Sequence, residues 1–513
     1  MFDFVYEDAI IYSKRFREWV YLKKKFKLPS APTILFCIVV FVAILTWLVP
    51  AGIYECSKLP NGNLEPIAGS YREIASNRQG LWDIFFAPIK GFSESIEIGI
   101  YLMIMNAFIT LVMKTGAISA GISKLTKKLA GKEILLIPIL MFLFSLCGTI
   151  LGFWEETLGF YMLIVPVFIA SGYDAIVGLL VVMWGAGIGL IGSTLNPFAT
   201  GIASKIANIP IGEGIVFRIV IYVLLLVIGS LYVMNYAKKV KKDPSSSLVF
   251  DDKKRNEEHF LNNTKENEEI TSTHKKVLVV FGAVFVILIL SVLPWADTFG
   301  ITFFDNLNNK VLSIPVIKDI LGPIVAFGHW DVPHLCILFL VASILVGFIG
   351  KFSEEDFINT FFSGVSDVMS VVFVIAIANG VKIIMTDGNI TATILHYGEN
   401  ALSKLSGSFF ACASFLFYLP LSFFIPTSSG LATLSVPLLA PLANLANVKC
   451  DIVITAYQVA NGIINLIAPT SAVLMGALTI TKVPYSAYMK SILKFLIIIV
   501  CMILVMLYLV PIL

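Results

Sequence analysis

Apolar runs of about twenty residues recur along the chain between short polar stretches, and that is the length an α-helix needs to cross a bilayer at 1.5 Å per residue. The pattern predicts nine spans: 30–51, 96–114, 173–195, 212–236, 276–296, 332–351, 367–386, 452–474 and 489–512. Two further apolar stretches, 133–171 and 407–446, are interrupted near their middles, the first by GFWEET and the second by Pro426-Thr427-Ser428-Ser429-Gly430. Residues 81–95 are too short and too charged to span and are expected in the interface. Residues 115–132 read as an amphipathic cytoplasmic segment.

The interrupted stretch 133–171 admits two readings, a pair of spans joined by a loop at Glu155-Glu156 or a re-entrant hairpin. Charge distribution separates them. The first 27 residues hold seven Lys and Arg, and the polar stretch 237–275 with Lys276 holds ten. Both belong on the cytoplasmic side under the positive-inside rule, and they fall on one side only if the first stretch is re-entrant. The expected fold is therefore an all-α polytopic membrane protein of about nine spans plus two hairpins. Residues 1–29 form a cytoplasmic amphipathic tail with no cleavable signal, 30–236 a first transport repeat, 237–275 a disordered cytoplasmic linker, 276–296 a connector span, and 297–513 a second transport repeat.

Composition agrees with this. The 513 residues are 58% hydrophobic and 14% charged, too little polar surface for a soluble globule. Long Ile, Leu, Val and Phe runs exclude the alternating pattern of an outer-membrane barrel. The seven cysteines lack disulfide or metal spacing and read as packing residues. No nucleophile–base or metal constellation is present, so an enzyme is not expected. Neither a cofactor nor a nucleic-acid partner is expected.

The halves also resemble each other at an offset of 271–277 residues. GFSESIEIGIYLMIMNAFITLVMKTGAIS matches GVSDVMSVVFVIAIANGVKIIMTDGNIT, which sets Asn106 against Asn379. EETLGFYMLIVP matches PTSSGLATLSVP, and DAIVGLLVVMWGAGIGLIGST matches DIVITAYQVANGIINLIAPTS. With one odd connector span, the two repeats sit in opposite orientations, the inverted arrangement in which broken helices meet near the midplane of a secondary transporter.

Candidate chemistry lies at the breaks. Glu155, Glu156 and Thr157 mark the first tip, and Thr427, Ser428 and Ser429 the second. A carboxylate at membrane depth costs roughly 2.5–3.5 kcal/mol, so the glutamates imply a polar cavity, a partner or a proton. The hydroxyls read equally well as caps of half-helix N-termini. The glycine-dense run Gly185 to Thr194 permits unwound backbone, though glycines also serve close helix packing. Its repeat partner runs from Asn461 through Asn465 to Ser471. Arg218 and Lys382 fall near span ends, where long side chains snorkel. Two carboxylates without a buried cation point to a bound species that brings positive charge.

GFWEETLGFY, GLIGSTLNPF and IPTSSGLATLSVPLLAPLA, with the Asn/Pro-Thr-Ser run to Ser471, resemble the YfcC family among the four-carbon dicarboxylate carrier-like proteins of the ion transporter superfamily. The resemblance covers nearly the whole chain. It implies a two-hairpin elevator transporter of the bacterial inner membrane, dimeric, exchanging basic amino acids of the arginine and ornithine type. It also implies a substrate site at Glu155, Glu156, Thr157, Ser193, Thr194, Thr427, Ser428, Asn465, Thr470 and Ser471; Asn196, Ser429 and Asn461, in the same breaks, complete the expected set of substrate-binding residues. The glutamates depart from the Ser-Asn-Thr tip of dicarboxylate members. The alternative is an importer of dicarboxylates or short peptides coupled to Na⁺ or H⁺; a channel or receptor fits the repeat poorly.

Overall fold

The computed structural model describes residues 31–512 apart from 59–63, 119, 122–123, 125–131, 262–269, 293–294, 297–299, 315, 317, 320–321 and 323. The expected N-terminal tail, and most of the amphipathic segment at 115–132, lie outside the described residues. The first helix, α1 (Ala31–Leu48), leads into two small antiparallel ladders, β1 (Gly52–Ile53) with β4 (Arg72–Glu73) and β2 (Cys56–Lys58) with β3 (Leu64–Pro66). Helices α2 (Leu81–Glu94) and α3 (Ile96–Lys114) follow, broken only at Ser95.

Hairpin 1 is α4 (Leu136–Leu151), a 3₁₀ turn at Glu155–Thr157, and α5 (Leu158–Ala170). After it come α6 (Ala175–Gly192), a π-helical turn at Pro197–Gly201, the short α7 (Ile202–Ile206) and the long α8 (Ile215–Lys242). The middle of the chain forms α9 (Lys253–Leu261), α10 (Ser272–Val292), α11 (Phe303–Leu312), α12 (Val332–Gly350), α13 (Glu354–Asp387) and α14 (Thr391–Leu402). Hairpin 2 is α15 (Gly407–Phe424) and α16 (Ser428–Leu445), followed by α17 (Cys450–Asn465), a break, α18 (Ala472–Ile480) and α19 (Tyr485–Leu509). The order hairpin, broken helix, long helix thus occurs twice. Ten helical stretches among the described residues are long and apolar enough to cross a membrane. Exposed Phe41, Trp82, Phe348 and Leu445 give the outside an apolar coat suited to lipid.

Two helices occupy the centre, α6 and α17, and every residue of them but Cys450 is buried. Each starts with an aspartate; Asp174 caps α6 by accepting from the Val177 amide at 3.0 Å. They meet at their broken ends, where Gln458 Nε2 donates to the Leu190 carbonyl at 3.0 Å and Gly462 lies against Ile191.

Three expectations change. The glycine-dense run is not unwound: the helix continues to Gly192, and the break is confined to Ser193–Asn196. Gly189 instead admits neighbouring backbone, since a Cβ there would lie 2.2 Å from the Ser145 carbonyl oxygen, while Gly187 and Gly192 make room for Leu466 and Tyr222. The linker is not disordered in its described part. Helix α8 runs on to Lys242, and residues 244–261 fold back, burying Val249, Asn256 and Phe260. Asp174 fastens it by accepting from the Tyr236 and Ser247 hydroxyls at 2.7 and 2.6 Å. Arg218 does not snorkel. It is 1% exposed, and its guanidinium donates to the Ile211 carbonyl at 2.6 Å because the 207–214 loop folds over it. Lys382, by contrast, is exposed and pairs with Glu94 at 3.0 Å.

Candidate functional site

The four breaks converge on one cavity of about 320 Å³. Hairpin 1 contributes Trp154, Glu155 and Glu156, and hairpin 2 contributes Pro426 to Ser429. The breaks after α6 and α17 add Asn196, Phe198, Asn465, Thr470 and Ser471, and α13 closes the far wall with Ile375, Ala378 and Asn379. Residues more than 270 positions apart in sequence are thus brought within one small-molecule-sized space.

The first tip is shaped by Gly152, which ends α4 in the left-handed conformation at φ 73°, where a side chain would also strike Asn196. The chain then turns so that Glu155 and Glu156 occupy the first turn ahead of α5, at its positive end. Glu155 is exposed to the cavity, and the half-buried Glu156 accepts from the Trp154 amide at 3.2 Å. Thr157 is fully buried and spends its hydroxyl on the Trp154 carbonyl at 2.5 Å, so it supports the tip from behind. The two glutamates are the charged members of the lining, and neither forms an ion pair among the described residues.

The second tip is built differently. Thr427 precedes α16 without capping it, and no side-chain hydrogen bond engages the hydroxyls of Thr427, Ser428 or Ser429 among the described residues. The Pro426 carbonyl is held from beneath by Asn465 Nδ2 at 2.9 Å and Asn461 Nδ2 at 3.2 Å. Tyr457 donates to the Ser428 carbonyl at 2.6 Å, and Thr470 to the Phe423 carbonyl at 2.8 Å. Ser471 caps α18 through the Leu474 amide at 3.5 Å.

Of the thirteen expected residues, nine therefore line the cavity: Glu155, Glu156, Asn196, Thr427, Ser428, Ser429, Asn465, Thr470 and Ser471. Four do not. Thr157 and Asn461 brace the tips from behind, while Ser193 and Thr194 are turned inward at 0% and 6% exposure. Ser193 bonds Thr200 at 2.7 Å, and the Thr194 amide donates to the Thr149 hydroxyl at 3.0 Å, tying the break in α6 to hairpin 1. Asn196 borders the cavity, but its Oδ1 accepts from the Phe198 and Ala199 amides at 3.0 and 3.2 Å. Trp154, Phe198 and Asn379 are additional lining residues. Asn379 carried a signal in the sequence, a polar residue inside an apolar span. Its repeat mate Asn106 is instead spent on the Gly364 carbonyl at 2.7 Å.

Broken, membrane-length helices around a polar cavity mark a multi-pass membrane transporter for a small molecule, with this cavity as its candidate site. The chain belongs to the DcuC family, C4-dicarboxylate anaerobic carrier, whose profile matches residues 28–511. A protein of unassigned function from Haemophilus influenzae is 30% identical over 91% of this chain and 94% of its own. The Escherichia coli K12 protein YfcC, provisionally named a basic amino acid antiporter, is 27% identical over 94% of this chain and 95% of its own. Among solved structures, Neisseria gonorrhoeae MtrF, described as one of a class of antimetabolite efflux pumps, aligns at 18% identity and a TM-score of 0.41 over 94% of this chain and 95% of that one. The Alcanivorax borkumensis YdaH transporter aligns at 14% identity and a TM-score of 0.41 over 94% and 98%.

Proposed function

We propose that this protein is a secondary antiporter of the cytoplasmic membrane that exchanges basic amino acids of the arginine and ornithine type. The observation that carries the reading is the charge of the cavity: Glu155 and Glu156 line it, and among the described residues no Lys or Arg does. Arginine brings the missing cation, and a bidentate guanidinium–carboxylate pair is among the stronger polar contacts available in a site shielded from bulk water. The N-termini of α16 and α18 and the free hydroxyls of Thr427, Ser428 and Ser429 suit the α-carboxylate of the same molecule. The provisional name of the E. coli relative supports the same substrate class.

Exchange follows from electrostatics. An empty cavity holding two uncompensated carboxylates is costly to carry across the membrane interior, and a bound basic amino acid of net charge +1 offsets one of them and lowers that cost. In this reading the two repeats are inverted, their hairpins enter from opposite faces, and the N-terminus is cytoplasmic. The hairpins and broken helices move together as an elevator within a homodimer. Counterflow of labelled arginine into proteoliposomes loaded with ornithine tests the exchange; no uptake above empty liposomes would sink it.

The family description favours a second reading, a dicarboxylate importer with Na⁺ or H⁺ held at the glutamates. Strict Na⁺ dependence, with a C4 dicarboxylate competing for uptake, would establish that reading instead.

A further inference from the structure

Helix α13 lines more than the central cavity. Eight residues before Ile375, Asp367 faces a second cavity of about 640 Å³, together with Ser363 of the same helix. At 1.5 Å per residue this second lining lies about 12 Å along the helix from the first. Its other walls come from Lys114 at the end of α3, Met162 of hairpin 1 and His259 of α9.

Between these two linings of α13, Val371 takes part in a buried apolar contact. Leu158, the first residue of α5, and Val371 of α13 are each 1% exposed, and a Cβ on Gly476 of α18 would lie 3.1 Å from both. Leu158 follows Glu156 by two residues. A displacement of the hairpin 1 tip therefore moves a carboxylate of the central site and one side of this contact together.

Asp367 is the unneutralised charge of the second cavity. Lys114 is engaged by Asp356 at 3.5 Å and by the Thr360 hydroxyl at 2.9 Å. Burial, with Lys482 and Arg255 nearby, pushes the His259 imidazole below the usual histidine range despite the opposing pull of Asp367, so it is neutral at pH 7. Asp367 is exposed to the cavity and makes no ion pair among the described residues. Asp367 opens the span expected at 367–386, so it stands at an end of the membrane-crossing part of α13, where a carboxylate facing water is tolerated.

We propose that Asp367 is a second station for the transported cation, a low-affinity site for a guanidinium or ammonium group in the cavity between α3, α13 and hairpin 1. The inference rests on the cationic-substrate reading of the central site. The substrate leaves Glu155 and Glu156, passes the parted Leu158–Val371 contact, and is held at Asp367 before release.

The test uses the full chain in proteoliposomes of sorted orientation, with arginine supplied to one face at a time. Asp367→Asn is expected to raise KM about tenfold on the face onto which its cavity opens, the scale of a lost charge-assisted contact. KM on the opposite face is expected to stay at the wild-type value, and Asp367→Glu to restore the first. If Asp367→Asn does not fold, Asp367→Ser serves with the same expectation. An unchanged KM on both faces, or an equal rise on both, overturns the second station while leaving the central site standing. A wild type that exchanges no cationic amino acid overturns both.

Discussion

Placing alanine at Gly189 tests whether the packing of hairpin 1 on α6 sets the geometry of the site. The new Cβ would lie 2.2 Å from the Ser145 carbonyl oxygen and 2.7 Å from the Thr149 amide nitrogen, against ordinary contact from 3.4 Å. Both obstacles are backbone of the neighbouring helix, so neither can swing aside, and α4 and α6 must separate by about 1.2 Å. Overpacking of this kind costs about 1–3 kcal/mol, against about 1 kcal/mol returned by alanine's better helix preference, for a net loss near 1 kcal/mol. The same separation stretches the Thr194–Thr149 bond of 3.0 Å and withdraws the glutamate tip from hairpin 2. Arginine affinity is expected to fall about tenfold, the scale of one charge-assisted contact. Gly148→Ala opposes the same seam, its Cβ falling 2.4 Å from the Ala186 carbonyl oxygen. One separation relieves both clashes, so the double variant should lose less than the two losses added together. Thermal unfolding in detergent and calorimetric titration with arginine measure both effects. Gly282→Ala, with nothing within 4 Å of its Cβ, is the neutral control. Wild-type melting and affinity in Gly189→Ala would refute the reasoning.

Asn465→Leu removes the 2.9 Å donor to the Pro426 carbonyl and should lower stability by about 1–3 kcal/mol, read by thermal unfolding, while weakening substrate binding at the second tip. Asp174→Asn weakens the acceptor for the Tyr236 and Ser247 hydroxyls, so residues 244–261 should become more sensitive to limited proteolysis. Arginine affinity should not change, because Asp174 lies outside the central cavity.

Much of the fold was legible because apolar length and helix punctuation act locally. The span expected at 96–114 coincides with α3, and the hairpin expected at 407–446 matches α15 and α16 to within a residue. The tips were legible for the same reason: Glu155-Glu156 and Thr427–Ser429 interrupt apolar sequence where helices cannot continue unbroken. What escaped depends on tertiary contact. Whether Gly185 to Gly192 unwinds or packs is decided by partners arriving from α4, from Tyr222 of α8 and from Leu466, which no local pattern contains. Ser193 and Thr194 look like ligands in sequence, but Thr149 and Thr200 consume their hydrogen-bonding capacity. Arg218 sits where snorkelling is expected, yet the loop carrying Ile211 covers it. The polar linker has too few apolar residues to fold alone. Val249 and Phe260 nevertheless find cover on the transport core.

The central claim is that Glu155 and Glu156 select a positively charged substrate. Arginine binding to the wild type, Glu155→Gln and Glu156→Gln, with ornithine and a C4 dicarboxylate as competitors, tests it most directly. The account predicts that wild type binds arginine, that ornithine but not the dicarboxylate displaces it, and that at least one glutamine variant loses about tenfold or more in affinity. Displacement by the dicarboxylate, or wild-type arginine affinity in both variants, would contradict it.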